Sequence, residues 1–231
     1  MSVAPPLLVF DLDGTLADTA GDLVKTLNQI LAQEAVPPVP VAQARKWVGA
    51  GARTLIERGF AAAGRSLPKP DVDRLFGEFL AYYEAHICDE SRLYPGVAAA
   101  LDRFAADGFV FAVCTNKIEH PAVKLLGALG VGVRFRAICG QDTFRVDDRA
   151  ISKPDPRALL LTIAKAGGDA ARSVMVGDSE TDIATAKAAG VPVVAVDFGY
   201  TDIPVVELGP DRVISHFDAL WTAVAELMPA R

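Results

Sequence analysis

LLVFDLDGTLAD, residues 7–18, decides how this 231-residue chain is to be read. Four apolar residues run without a break into Asp11 and Asp13, one residue apart, and then into Gly14. A short continuous apolar run of this kind marks a strand buried on both faces, as in a parallel sheet. Two carboxylates held close repel each other, and burial makes each harder to ionise. The stretch therefore predicts either two acids solvated in a turn or a positive partner brought to them by the rest of the chain.

Further runs of the same kind are VFAVCT (110–115), AIC (137–139), SVMVG (173–177) and VVAV (193–196). Between them lie the helix-patterned HPAVKLLGAL (120–129), DPRALLLTIAKA (155–166) and ETDIATAKAA (180–189). Apolar strands alternating with helices predict an α/β fold, a Rossmann-like parallel sheet covered on both faces. Pro156 behind Asp155 predicts a helix start, with the aspartate as cap and proline at the first helical position.

Residues 18–90 break the alternation. GDLVKTLNQILAQEA (21–35), VAQARKWVG (41–49), ARTLIERGFAAAG (52–64) and PDVDRLFGEFLAYYEAHI (70–87) all read as helices, with PPVP (37–40) a rigid turn and no strand between them. This predicts a helical insertion just after the first strand, closing near LYPGV (93–97). Residues 1–17 and 91–231 then form the catalytic core and 18–90 a helical cap.

Composition narrows the function classes. A formal net charge of −6 and a pI near 5.1 argue against nonspecific nucleic-acid binding, which needs a basic surface. No segment reaches the roughly 18 uninterrupted apolar residues of a membrane span. The opening MSVAPPLLVFDLDG lacks the basic region of a signal peptide. Cys88, Cys114 and Cys139 are odd in number and widely spaced, which suits free thiols in a reducing cytoplasm. The expected partner is a small molecule rather than nucleic acid or membrane, and the expected state is a monomer or homodimer.

Ligands of open α/β sheets bind beyond the carboxyl ends of the strands. Asp11 and Asp13 follow the first run, and Thr115 and Asn116 the second. A loop after the third leads to Ser152, Lys153 and Pro154, and Asp178 follows SVMVG, with Asp182 four residues on. Acids gathered at one rim are costly without a cation, and an all-oxygen ligand set favours a hard ion such as Mg²⁺. Each residue also has a plainer reading. Thr115 with Asn116, or Asp178, can cap a helix; Lys153 can be a solvated loop lysine; Asp182 can lie on the surface. A calcium loop does not fit, because its glycine belongs at position six and a helix should precede it.

DLDGT, CTNK, SKP and GDSETD, in that order, resemble the four motifs of the haloacid dehalogenase superfamily of phosphatases, and the insertion resembles that superfamily's cap of the first type. The resemblance implies an aspartate nucleophile and Mg²⁺. On these positions Asp11 attacks phosphorus and forms an aspartyl-phosphate. Asp13 serves as acid and then base, Thr115 binds a phosphoryl oxygen, Asn116 steadies its loop, and Lys153 neutralises charge. Asp11, the Asp13 carbonyl and Asp178 hold the metal, with Asp182 behind them or acting through water. An acid at position 13 fits phosphate-ester chemistry and not dehalogenation.

KWVGAGARTLIERGF (46–60) and AVDFGYTDIPVVELGPDRVISHFDAL (195–220) resemble segments of the bacterial phosphoglycolate phosphatases, although VDFGY and the loop FRVDDRAIS (144–152) depart from their pattern. That likeness implies a small phosphorylated metabolite, 2-phosphoglycolate, as substrate, and with it roles in salvaging a metabolic by-product and glycolate released in DNA repair. Gly49, Gly51, Arg58, Arg53 and Lys117 are the expected substrate-binding residues, with Arg58, in the L-x-E-R stretch, favoured for the carboxylate. Gly49 and Gly51 can equally make only a turn while Arg58 lies solvated. A β-phosphoglucomutase-like enzyme, a pyrophosphatase or nucleotidase, and a noncatalytic phosphate-binding module stay open as alternatives.

Overall fold

A computed structural model describes residues 4–228. The strand β1 (Leu7–Phe10) leads into β2 (Ala17–Asp18), and α1 (Ala20–Gln33), α2 (Val41–Ala44), α3 (Ala52–Ala62) and α4 (Lys69–Ala85) follow. β3 (Arg92–Leu93) returns beside β2, and the chain then runs α5 (Val97–Ala106), β4 (Val110–Cys114), α6 (Glu119–Ala128) and β5 (Phe135–Cys139). A hairpin, β6 (Arg145–Val146) and β7 (Arg149–Ala150), precedes α7 (Pro156–Lys165), β8 (Ser173–Gly177) and α8 (Glu180–Ala189). β9 (Val193–Val196), β10 (Arg212–Ile214) and α9 (Leu220–Leu227) complete it.

The main sheet has the order β10-β9-β8-β1-β4-β5, with every pair parallel. The chain leaves β1 toward β4 and β5 and later builds β8, β9 and β10 on the other side. The strand order therefore reverses beside β1, and a crevice opens at its carboxyl end. Side chains alternate between two cores. Leu8, Phe10, Val113 and Val176 join one cluster, and Leu7, Val9, Ala112 and Met175 the other. Both faces are covered, which is why the strands read as unbroken apolar runs instead of alternating ones. The Phe10 ring lies 6.3 Å from Phe111 and 6.4 Å from Phe135, edge-on to the latter; such pairs add about 0.5–1.5 kcal/mol beyond burial.

Helices α1, α3 and α4 bury Leu27, Ile30, Ile56, Phe60, Leu75 and Phe79 in the first of these clusters. The two passages between these helices and the sheet run side by side, β2 pairing antiparallel with β3 through Ala17–Leu93 and Asp18–Arg92. Asp22 on α1 clamps the return passage, accepting from Glu90 N at 3.0 Å, Ser91 N at 2.8 Å and Ser91 Oγ at 2.6 Å.

Four local features differ from the sequence reading or extend it. The helix expected over 41–49 is one α-turn and a 3₁₀ turn, Arg45–Trp47, stopped by extended Val48 and by Gly49 and Gly51 at φ +98° and +90°. The strand β10 has three residues, two of them exposed, so it carries no apolar run to announce it. The loop over 144–152 is a hairpin whose turn places Asp147 and Asp148 at φ +47° and +59°, a conformation aspartate tolerates in tight two-residue turns. Helix α7 starts as its sequence predicts, Asp155 accepting from Arg157 N with Pro156 behind it. Among the described residues no helix is long and apolar enough to cross a membrane.

Candidate active site

The carboxyl ends of β1, β4 and β8 bring the motif residues to one buried rim. Asp11, Asp13, Thr115, Lys153, Asp178 and Asp182 are all buried. The solvated readings of Lys153 and Asp182 are thereby excluded. The capping readings of Thr115 and Asp178 fall too, because the residues capping α6 and α8 are Ile118 and Ser179.

Asp182 organises the rim. Its Oδ2 accepts from Asp178 N at 3.2 Å, Ser179 N at 3.1 Å and Ser179 Oγ at 2.6 Å, closing a capping box at the start of α8. Its Oδ1 accepts from Lys153 Nζ. Lys153 Nζ also lies 2.8 Å from Asp11 Oδ1, so the ammonium bridges the two acids. Both Asp182 oxygens are thus engaged, one by the α8 turn and one by Lys153. Asn116 Nδ2 donates to the Lys153 carbonyl at 3.2 Å, fixing the same loop from the other side.

Asp178 is oriented by Thr15 Oγ1 at 2.9 Å on Oδ1 and by Tyr200 N at 2.8 Å on Oδ2. Gly14 allows this packing: at φ +90° a Cβ there would stand 2.5 Å from Asp178 Oδ2. Asp13 accepts from Lys117 Nζ at 2.9 and 3.0 Å and from Thr19 Oγ1 at 2.7 Å. Thr115 Oγ1 accepts from Lys117 N at 3.2 Å, which leaves its own hydrogen free to donate.

Fully ionised, the four carboxylates would exceed the two lysines, Lys117 and Lys153, by the charge of one divalent cation. Burial, with Asp182 and Asp13 adding to it against Lys153, pushes Asp11 up to about 6. Burial, then Asp182 and Asp11, pushes Asp178 up to about 8. Asp11 Oδ1 is buried without a hydrogen bond, since the 2.8 Å approach of Lys153 lacks bonding geometry. One carboxylate oxygen each of Asp11, Asp178 and Asp182 lies within 4.8 Å of the others. This all-oxygen, strongly acidic set fits a hard divalent ion, for which Asp11, Asp178 and Asp182 each offer an oxygen.

A pocket opens from this rim toward the helical insertion. Asp11, Asp13 and Lys117 form its floor, and Gly49, Gly51, Leu55, Phe79 and Tyr83 belong to its walls. Two expected substrate residues do not reach it. Arg58 is exposed on α3, whose buried stripe is Leu55, Ile56, Gly59 and Phe60. Arg53 pairs with Asp73 and lies over the Phe76 ring, 4.0 Å from its centroid.

Tyr200, Thr15 and Tyr83 are site residues that the sequence reading did not single out. The Tyr200 hydroxyl accepts from Thr19 N at 2.6 Å and Ala20 N at 3.1 Å, capping α1, and donates to Asp18 Oδ1 at 2.8 Å. Arg45 grips Asp18 at 3.0 Å and lies over the Tyr200 ring, 4.7 Å from its centroid. The signal for Thr15 and Tyr200 is present in DLDGT and FGY; nothing in AYYEAHI marks Tyr83 apart from core.

The chain matches the haloacid dehalogenase-like hydrolase family over residues 5–190. A phosphoglycolate phosphatase of Mesorhizobium japonicum is 55% identical over 221 residues, covering 96% of this chain and 95% of that protein. One of Agrobacterium fabrum is 49% identical over 226 residues, covering 98% and 95%. A crystal structure described as a predicted phosphoglycolate phosphatase from Haemophilus somnus superposes with a TM-score of 0.86 at 30% identity, covering 95% of this chain and 97% of the other. The order of strands, the buried rim and these likenesses agree, and the chain belongs to the haloacid dehalogenase-like hydrolases as a phosphatase.

Proposed function

We propose that the protein is a Mg²⁺-dependent phosphomonoesterase acting on 2-phosphoglycolate through an aspartyl-phosphate, with residues 18–90 as the cap that closes over the ester. The observation that carries the chemistry is the buried rim itself, where Asp11, ion-paired with Lys153, stands beside Asp178 and Asp182. The curated relatives at 55% and 49% identity bear the name of this activity and support the choice of ester.

The steps follow from the atoms present. An Asp11 oxygen attacks phosphorus while the ester oxygen departs and takes a proton from Asp13. Asp13 then removes a proton from water, whose oxygen attacks the aspartyl-phosphate; phosphate leaves and the Asp11 carboxylate is restored. Lys153, fixed by Asp182, and the Thr115 hydroxyl meet the phosphoryl oxygens where negative charge gathers. Asp11 and Asp178 would hold the Mg²⁺, which when bound would supply a Lewis acid for the phosphoryl group and offset the repulsion among the acids. Product release from a small panel tests this reading: 2-phosphoglycolate, β-glucose 1-phosphate, pyrophosphate and a nucleoside monophosphate, each with Mg²⁺ and with chelator. The highest kcat/KM is expected on 2-phosphoglycolate, with activity lost on chelation and regained with Mg²⁺. Preference for another member of the panel rejects the substrate, and full activity under exhaustive chelation rejects the metal.

A further inference from the structure

The pocket wall facing the core holds one buried polar atom that nothing in the structure satisfies. The Tyr83 hydroxyl is buried and has no hydrogen-bond partner, although the large majority of buried side-chain polar atoms find one. Tyr83 sits on α4 and lines the pocket together with Lys117, which comes from the loop after β4. Lys117 Nζ lies 4.7 Å from the Tyr83 ring centroid. An ammonium has three N–H bonds; two of them reach Asp13, and the third faces the Tyr83 hydroxyl, whose own hydrogen finds no acceptor. Burial pushes the Tyr83 phenol up to about 12, so it keeps its proton and acts as a donor. Asp13 also retains the Thr19 hydroxyl, at 2.7 Å, whatever Lys117 does with its remaining bond.

Lys117 and Tyr83 therefore stand side by side as donors in a pocket whose other lining residues include the apolar Leu23, Val48, Leu55 and Phe79. Such a wall rejects a charged group unless hydrogen bonds replace its lost water. The phosphoryl end of a substrate is already claimed by Lys153 and the acid rim. What reaches Lys117 and Tyr83 is the far end of a short ester, and a group with two anionic oxygens matches two donors. We infer that Lys117 Nζ and Tyr83 Oη form the receptor for a substrate carboxylate, which makes them the residues that select a carboxylate-bearing phosphoester. This rests on the phosphoesterase reading and replaces Arg58, which the fold leaves in solvent.

The test separates binding from turnover. Calorimetry with Mg²⁺ compares phosphonoacetate, which carries a carboxylate and cannot be hydrolysed, with propylphosphonate, which ends in a methyl group. The intact protein is expected to bind phosphonoacetate at least tenfold more tightly. Tyr83→Phe, which removes only the hydroxyl, is expected to cut that ratio roughly tenfold, and Lys117→Met tenfold to a hundredfold, the usual effect of losing a hydrogen bond to a charged group. Equal affinity of the intact protein for both ligands overturns the inference, as does an unchanged ratio in Tyr83→Phe. Should Lys117→Met fail to fold, the isosteric tyrosine variant still decides. A protein that selects phosphonoacetate but does not hydrolyse 2-phosphoglycolate leaves the receptor standing and removes the proposed activity. One that hydrolyses 2-phosphoglycolate while Tyr83→Phe keeps its selectivity does the reverse.

Discussion

The two sides of the pocket are built on opposite principles. On the sheet side charged groups hold one another, Asp182 by the turn into α8 and by Lys153, Asp178 by Thr15 and Tyr200, Asp13 by Lys117 and Thr19, with one oxygen each of Asp11 and Asn116 left without a hydrogen bond. On the cap side the wall is apolar and its one buried hydroxyl, on Tyr83, is idle. The reaction side is fixed before any ligand arrives, which lets its charges act without reorganisation. The recognition side is completed by what it binds. Chemistry common to many esters thus belongs to the rigid wall, and discrimination among esters to the unsatisfied one.

The comparison breaks first at Asp11. Asp11→Asn keeps the shape of the rim and lowers its negative charge, yet an amide is no nucleophile. Phosphate release is expected to fall below detection while the circular dichroism spectrum and melting curve stay native. Measurable steady turnover by this variant ends the covalent reading.

Asp182→Asn is the next largest effect and separates positioning from metal binding. A single amide oxygen cannot serve both Lys153 and the three donors of the α8 turn, so one set is left unpaired. Activity is expected to drop on the order of a hundredfold, as when a preorganised electrostatic group is lost. Stability is expected to fall by about 1–3 kcal/mol, the cost of an unsatisfied buried group, measured by denaturant titration. The Mg²⁺ concentration for half-maximal activity is expected to change little; a large rise in it places Asp182 on the metal instead.

The smallest effect sharpens the contrast from outside. Arg58 is exposed on α3 and absent from the pocket. Arg58→Ala is expected to leave kcat/KM on 2-phosphoglycolate unchanged and stability within about 0.5 kcal/mol. A selective loss on that substrate would restore Arg58 to the recognition side.

The same division explains what could be read from the chain beforehand. Asp11, Thr115 and Asp178 each follow an apolar run at once, so finding the strand finds the residue, and the sheet places them together. Lys153 and Asp182 lie farther from a strand and depend on the motif order. The recognition side has no such address. Tyr83 belongs to an amphipathic helix in which Phe79 and Leu75 are also buried, and periodicity cannot tell a pocket aromatic from a core one. Arg58 attracted notice for its charge, but its angle on α3 depends on which stripe packs inward. Strand β10 is hidden for a related reason, since an edge strand of three residues buries too little to leave a pattern.

Tyr200 carries a consequence for how the protein comes into being. Its N–H holds Asp178 and its hydroxyl holds the start of α1 and Asp18, a partner 182 positions earlier in the chain. During synthesis the helices over 20–85 can pack on one another as they emerge, because their contacts are local. The start of α1 and the acid rim share a fastening that is translated late, after every acid it serves. A chain stopped short of Tyr200 holds every acid of the rim but lacks the residue that fastens Asp178 to the start of α1.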